Sequence, residues 1–170
     1  MIDLLPSPLH PLVVHFPVVL TAFLPFLALL AMVAIVRGVA PRIAWGLVTA
    51  VAVLTFVGTY VAVWSGEREE EQVEEVIDHD LIEEHEEQGE RLRLMAGIAV
   101  VVFAIGMGGG GFGRIARPVG FLLSVAMLIQ AIPTGHSGGE LVYRHGAADA
   151  YVTDRRPPPA TDSLQHTHSD

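Results

Sequence analysis

The sequence predicts an all-α protein, a four-helix transmembrane bundle with an acidic amphipathic helix between spans 2 and 3. Three observations carry this. The chain is 51% hydrophobic, and its mean hydropathy of +0.48 is high for a soluble domain. The apolar residues gather into four stretches separated by polar or glycine-rich turns. The charge is concentrated too, with thirteen of the 19 acidic residues between Glu67 and Glu90.

The four stretches place spans at about 12–36, 43–65, 94–112 and 118–140. The first three approach or exceed the ~20 residues that a spanning helix needs. The fourth is cleanly apolar only to Ile132 and needs the helix to continue, kinked, through Pro133 towards Leu141, Val142 and Tyr143. In the second, Trp45 and Trp64 stand 19 residues apart, ~28 Å at helical rise. That matches a hydrocarbon core ~30 Å thick, with an aromatic anchor expected at each boundary. The segment 67–93 is too charged to cross. Val73, Val76, Ile77, Leu81 and Ile82 recur in it at helical spacing, which predicts an amphipathic helix leading into the third span. Residues 1–146 then make one transmembrane domain. Residues 147–170, polar and carrying Pro157, Pro158 and Pro159, are expected to form a disordered tail.

Arg37 and Arg42 flank the first turn, Arg114 and Arg117 the third, and neither turn holds an acidic residue. The positive-inside rule puts both turns in the cytoplasm. The expected location is the bacterial inner membrane, with the N-terminus, the 66–93 loop and the C-terminus periplasmic. Arg68, Arg91 and Arg93 oppose this weakly. No Lys or Arg precedes the first span, so it reads as a retained helix and not as a signal peptide.

Composition excludes several chemistries. There is no cysteine, hence no disulfide, thiolate metal site, iron–sulfur cluster or covalently attached c-type haem. All ten basic residues are arginine and the net charge is −9, with no basic stripe for nucleic acid. Ser65 and Ser137 lack a nucleophile-elbow context, and the run Gly108–Gly111 has neither the preceding strand nor the GK[ST] of a phosphate loop. No catalytic constellation is visible, and the chain is expected not to be an enzyme by itself.

Six of the eight histidines remain as candidates, and the predicted topology puts all six on the outer side: His10, His15, His79, His85, His136 and His145. Imidazoles from facing helices can hold a b-type haem, or copper, zinc or iron. The plainer reading makes them boundary residues bonded to backbone or water. By depth along the chain, His15 and His136 are the expected haem-iron ligands, with His10, His85 and His145 as supporting groups or alternates. His79, Asp80, Glu83, Glu86 and Glu90 share helical spacings that could suit a divalent cation, although a solvated acidic face is the commoner outcome.

Two stretches resemble a known group. His10-Pro11-Leu12-Val13-Val14-His15-Phe16-Pro17 resembles the HPxxVHFP opening of the DUF2231 family of bacterial membrane proteins. Gly135 to Gly146, reading GHSGGELVYRHG, is similar to that family's GGxLVYxHG ending. Trp64-Ser65-Gly66-Glu67 and His85-Glu86 sit where related members have a small-residue turn and a histidine before the third helix. The likeness spans roughly residues 10–146. It implies a four-helix membrane domain. Members fused to c-type cytochrome domains imply electron transport, although this chain has no CxxCH of its own.

The expected function is thus an inner-membrane protein of an electron-transfer chain, with a histidine-held b-type haem or metal near its periplasmic face. The acidic segment would dock a basic periplasmic cytochrome. The alternative is a cofactor-free subunit of a larger respiratory or photosynthetic membrane complex.

Overall fold

A computed structural model describes residues 7–152. Four long helices follow one another: α1 (His10–Val36), α2 (Pro41–Glu74), α3 (His79–Gly106) and α4 (Gly111–Tyr143). A 3₁₀ turn, Ala147–Tyr151, closes the described chain. Helix α1 opens with a separate turn, His10–Val13, before its main run, His15–Val36. Pro17 has no N–H to offer the Val13 carbonyl, which accounts for the irregularity at Val14. Pro41 starts α2 at a position where its missing N–H costs nothing. The turn before it uses Gly38 at φ +98°, a conformation other residues resist.

Each helix packs against its sequence neighbours, and α1 closes the ring against α4. The centre is built from small side chains, Ala28, Ala31, Ala52, Ala96 and Ala99, around Leu24, Trp45, Phe103 and Met127. Small residues let helix backbones approach closely where lipid removes the hydrophobic drive to associate. At Gly120 a Cβ would stand 2.7 Å from Phe103 Cε1, so only glycine fits there. The large apolar residues point outward instead, Phe26, Leu30, Ile43, Leu47, Leu122 and Ile132 among them. This distribution suits a hydrocarbon surround. Helices α1, α2 and α4 are long and apolar enough to cross a membrane.

Several expectations change in detail. The predicted amphipathic helix is not a separate element. Its residues are shared between the end of α2 and the start of α3, which project together as a helical hairpin turning at 75–78. The apolar stretch at 94–112 is also divided. Helix α3 stops at Gly106, and Met107–Gly110 form the turn into α4. Helix α3 still runs the height of the bundle, since it joins the hairpin end of α2 to the start of α4 at the opposite end. Helix α4 is longer than the predicted 118–140 and passes through Pro133 without a break.

Trp45 is not a boundary anchor. It is fully buried, T-shaped against Phe103 at 5.6 Å between ring centres, with its indole packed on the Cα of Gly106. Trp64 is exposed as expected, with Arg68 stacked 4.6 Å over its ring. The folded region also extends past 146, because the 3₁₀ turn is held by the Gln72 amide donating to the Ala150 carbonyl at 3.0 Å. The remainder of the predicted tail, 153–170, lies outside the described residues.

Candidate functional site: a histidine pair at the hairpin end

Where the four helices meet the base of the hairpin, His10 of α1 and His85 of α3 face each other. Their ring centres are 6.0 Å apart and their planes cross at 89°. Antiparallel packing makes the meeting, by bringing the start of α1, the late part of α2, the early part of α3 and the late part of α4 to one level.

Both rings are fixed from behind. His10 Nδ1 lies 2.9 Å from the Ala62 carbonyl and 3.2 Å from Ser65 Oγ, whose own hydroxyl donates to that carbonyl at 2.8 Å. A carbonyl only accepts, so Nδ1 carries the proton and Nε2 keeps its lone pair. His85 Nδ1 lies 2.9 Å from Ser137 Oγ. Ser137 has two acceptors in reach, the Thr134 carbonyl at 3.1 Å and Gln88 Oε1 at 3.3 Å. Its single proton goes to one of them, and His85 Nδ1–H donates to the hydroxyl oxygen. His85 Nε2 makes no hydrogen bond among the described residues that meets normal geometry, although the Thr134 carbonyl also lies close to the ring. Burial, reinforced by the neighbouring His10, pushes the His85 imidazole down from 6.5 to about 4, so it is neutral at physiological pH. His85 stands eight residues before Arg93 on α3, ~12 Å along the helix and beyond its apolar part.

Glycines let the neighbouring helices close on these rings. A Cβ at Gly138 would stand 2.9 Å from His85 Cε1, and one at Gly66 would stand 3.3 Å from His10 Cε1. Glu69 ties the site to both ends of the described chain. Its Oε1 accepts from the Leu9 and His10 backbone N–H groups, and its Oε2 accepts from the Tyr151 hydroxyl at 3.2 Å. Burial and the Glu69 carboxylate push that phenol up to about 12. Above the pair, Ile77, Ile82 and Leu141 form a small second core that holds the hairpin upright.

The other predicted residues lie elsewhere. His15 is exposed on α1, with Nδ1 bonded to its own helix at the Pro11 carbonyl, 2.6 Å away. His136 is three-quarters exposed on α4, 3.7 Å from Glu140. His145 is exposed after α4. The fold therefore pairs His10 with His85 and does not bring His15 to His136. His79 pairs across the hairpin turn with Glu74 and approaches Glu70. These three could surround a cation, but all lie towards solvent at the tip. Of the proposed acidic face, Asp80, Glu83 and Glu90 are exposed. Glu86 is half-buried, and its carboxyl is raised first by burial and then by the nearby Glu70, Glu67 and Glu90.

Sequence reading missed the supporting set. Ser65 and Ser137 are not nucleophiles but the hydroxyls that set the two imidazoles. Glu69 and Gln88 were lost in the acidic run. The nearest signal was the small-residue turn Trp64-Ser65-Gly66, a short polar break at the end of an apolar stretch.

Two neutral imidazoles, each anchored at Nδ1 and free at Nε2, make a donor set suited to a transition-metal ion. Ligating histidines characteristically give their other N–H to a carbonyl or similar acceptor. Imidazoles bound to one ion at about 2.0–2.1 Å per nitrogen have ring centres roughly 5–6.5 Å apart, depending on the angle at the ion, a range that includes the 6.0 Å observed here. The fold and this site define an α-helical integral membrane protein with a half-buried histidine pair at one end of its bundle. The chain belongs to the family described as predicted membrane protein (DUF2231), whose model matches residues 6–150. No curated protein and no solved structure matches it.

Proposed function

We propose that the protein is a metal-binding, electron-transfer protein of the bacterial inner membrane, holding one copper ion between His10 and His85 at the periplasmic face. The observation that carries this reading is the pair of Nδ1-anchored imidazoles 6.0 Å apart. Copper is favoured because two neutral nitrogens suit an ion of low coordination number and because divalent copper heads the affinity order among first-row metals. It also supplies the one-electron couple that electron transfer needs. The low proton affinity of His85 helps, since protons compete weakly for its Nε2 near neutral pH.

The arginines Arg37, Arg42 and Arg114 are exposed at the opposite end and support a cytoplasmic location for the short turns. The hairpin then stands in the periplasm with an acidic surface. Exposed carboxylates such as Glu71, Glu75, Glu84 and Glu87 would draw in a basic redox partner by long-range attraction.

The test is the metal content of protein purified from its native membrane. Wild type is expected to carry about one copper per chain. His10→Ala and His85→Ala should lose it, while His15→Ala and His136→Ala keep it. Copper-free wild-type protein, or loss confined to the His15 and His136 variants, would reject the proposal.

A further inference from the structure

On the outer face of the bundle, α2 and α3 separate into a groove of about 900 Å³. It is distinct from the histidine pair. From Glu87 to Val101 it spans 15 residues of α3, ~21 Å at helical rise. One leaflet with its headgroups is about as thick, since a whole bilayer measures ~40–45 Å. The chemistry changes along that height in the order a phospholipid does. Glu87, Glu90, Arg91 and Arg93 line the upper end, while Leu94, Ile98 and Val101 line the lower. Tyr60 marks the boundary, with the Arg93 guanidinium 5.9 Å from its ring centre. Gly97 keeps the wall low, because a Cβ there would already press on Phe56 at 3.2 Å.

We infer that this groove binds one phospholipid whose headgroup carries a primary ammonium beside its phosphate, as phosphatidylethanolamine does. The upper end holds two guanidiniums and two carboxylates, paired as Arg91–Glu87 and Arg93–Glu90 at 2.7 Å each. With Glu67 a further 4.0 Å from Arg93, the arginines are fully opposed by carboxylates. A phosphate placed there takes hydrogen bonds from Arg91 and Arg93, whose planar forks suit it. The carboxylates that those arginines release need a cation, and an ammonium with N–H donors supplies it. A net anionic headgroup leaves Glu87 and Glu90 facing negative charge. A quaternary ammonium has no N–H to donate. The acyl chain lies over Leu94, Ile98 and Val101, which are about half to two-thirds exposed in the absence of lipid.

The test is native mass spectrometry of the full chain released from nanodiscs containing equal parts phosphatidylethanolamine, phosphatidylcholine and phosphatidylglycerol. Wild type should retain one phosphatidylethanolamine about tenfold over either competitor. Arg91→Gln with Arg93→Gln should abolish that retention. Glu87→Gln with Glu90→Gln leaves the arginines opposed only by Glu67, 4.0 Å from Arg93, and should move the preference to phosphatidylglycerol, while circular dichroism reports that both variants stay helical. Equal retention of the three lipids by wild type, a wild-type preference for either competitor, or unchanged preference in both double variants would overturn the assignment.

Discussion

Ser137 supplies the acceptor for His85 Nδ1–H and is itself bonded to α4. Its removal strands a half-buried donor, a loss of about 1–3 kcal/mol. Ser137→Ala is expected to lower the metal affinity of the pair about tenfold while leaving the fold intact, as read by competitive titration with a copper chelator. Unchanged affinity would mean that Ser137 does not set the His85 ring. His79 gives a separate, pH-dependent test at the hairpin tip. Its bond to Glu74, helped by the charges of Glu74, Glu83 and Glu70, raises it above the ordinary 6.5. The pairing therefore contributes fully below pH 6.5 and is lost as pH rises through the raised value. An NMR titration should place His79 above 6.5 and return it towards 6.5 in Glu74→Gln. A midpoint unmoved by that substitution would remove Glu74 as the cause. At this scale the sequence was least legible. Position along an apolar stretch ranked His15 and His136 as deepest, but burial depends on which helix face a residue occupies. His10 and His85 lie 75 positions apart, and only the alternating up-and-down order of the helices, which makes the diagonal pair α1 and α3 run parallel, brings their early turns to one level. Trp45 shows the same limit, because its spacing to Trp64 fitted a membrane boundary while its helix face pointed to the core.

Among the elements, α3 ends in an unusual way for a helix in an apolar setting. Arg117 of α4 is buried and donates through Nε to the Gly106 carbonyl at 2.8 Å and through Nη2 to the Gly108 carbonyl at 2.6 Å. It satisfies acceptors that the end of α3 would otherwise leave open, and its charge suits that end of the helix dipole. Arg117→Ala should destabilise the protein by about 2–3 kcal/mol, measured by denaturation in mixed micelles. A loss below 0.5 kcal/mol, the usual size for an inconsequential surface change, would show that water replaces the arginine. Element existence was well legible here, since each helix contains a long apolar run and glycines mark the first and third turns. Element boundaries were not. Apolar composition continues through 107–112, whereas the backbone turns where Gly108–Gly111 removes helix preference. The acidic run read as a helix of its own because charge, not hairpin geometry, set its limits.

For the molecule as a whole, the up-down-up-down order of the helices puts the hairpin and the histidine pair at one end and the turns at 37–40 and 107–110 at the other. The cysteine-free sequence makes orientation directly measurable. Single cysteines at Glu71 and Glu84 should label with an impermeant reagent applied to intact spheroplasts, and cysteines at Val39 and Gly109 should label only after lysis. The reverse pattern would move the histidine pair to the cytoplasmic face. The four-helix architecture and the family likeness were legible from the ends of the chain, because the motifs around His10 and Gly135–Gly146 are long and specific. The site between them was not, because its supporting hydroxyls and glycines carry no pattern of their own.

The most direct test of the account is ¹⁵N NMR of the histidine rings of the full chain in micelles at pH 7, before and after zinc is added as a spectroscopically silent stand-in for copper. The account predicts that His10 and His85 both begin with the proton on Nδ1. It further predicts that one equivalent of metal shifts Nε2 of both together, ahead of His15, His79 and His136. A shift in only one of the pair, or a first shift at His79, would contradict it.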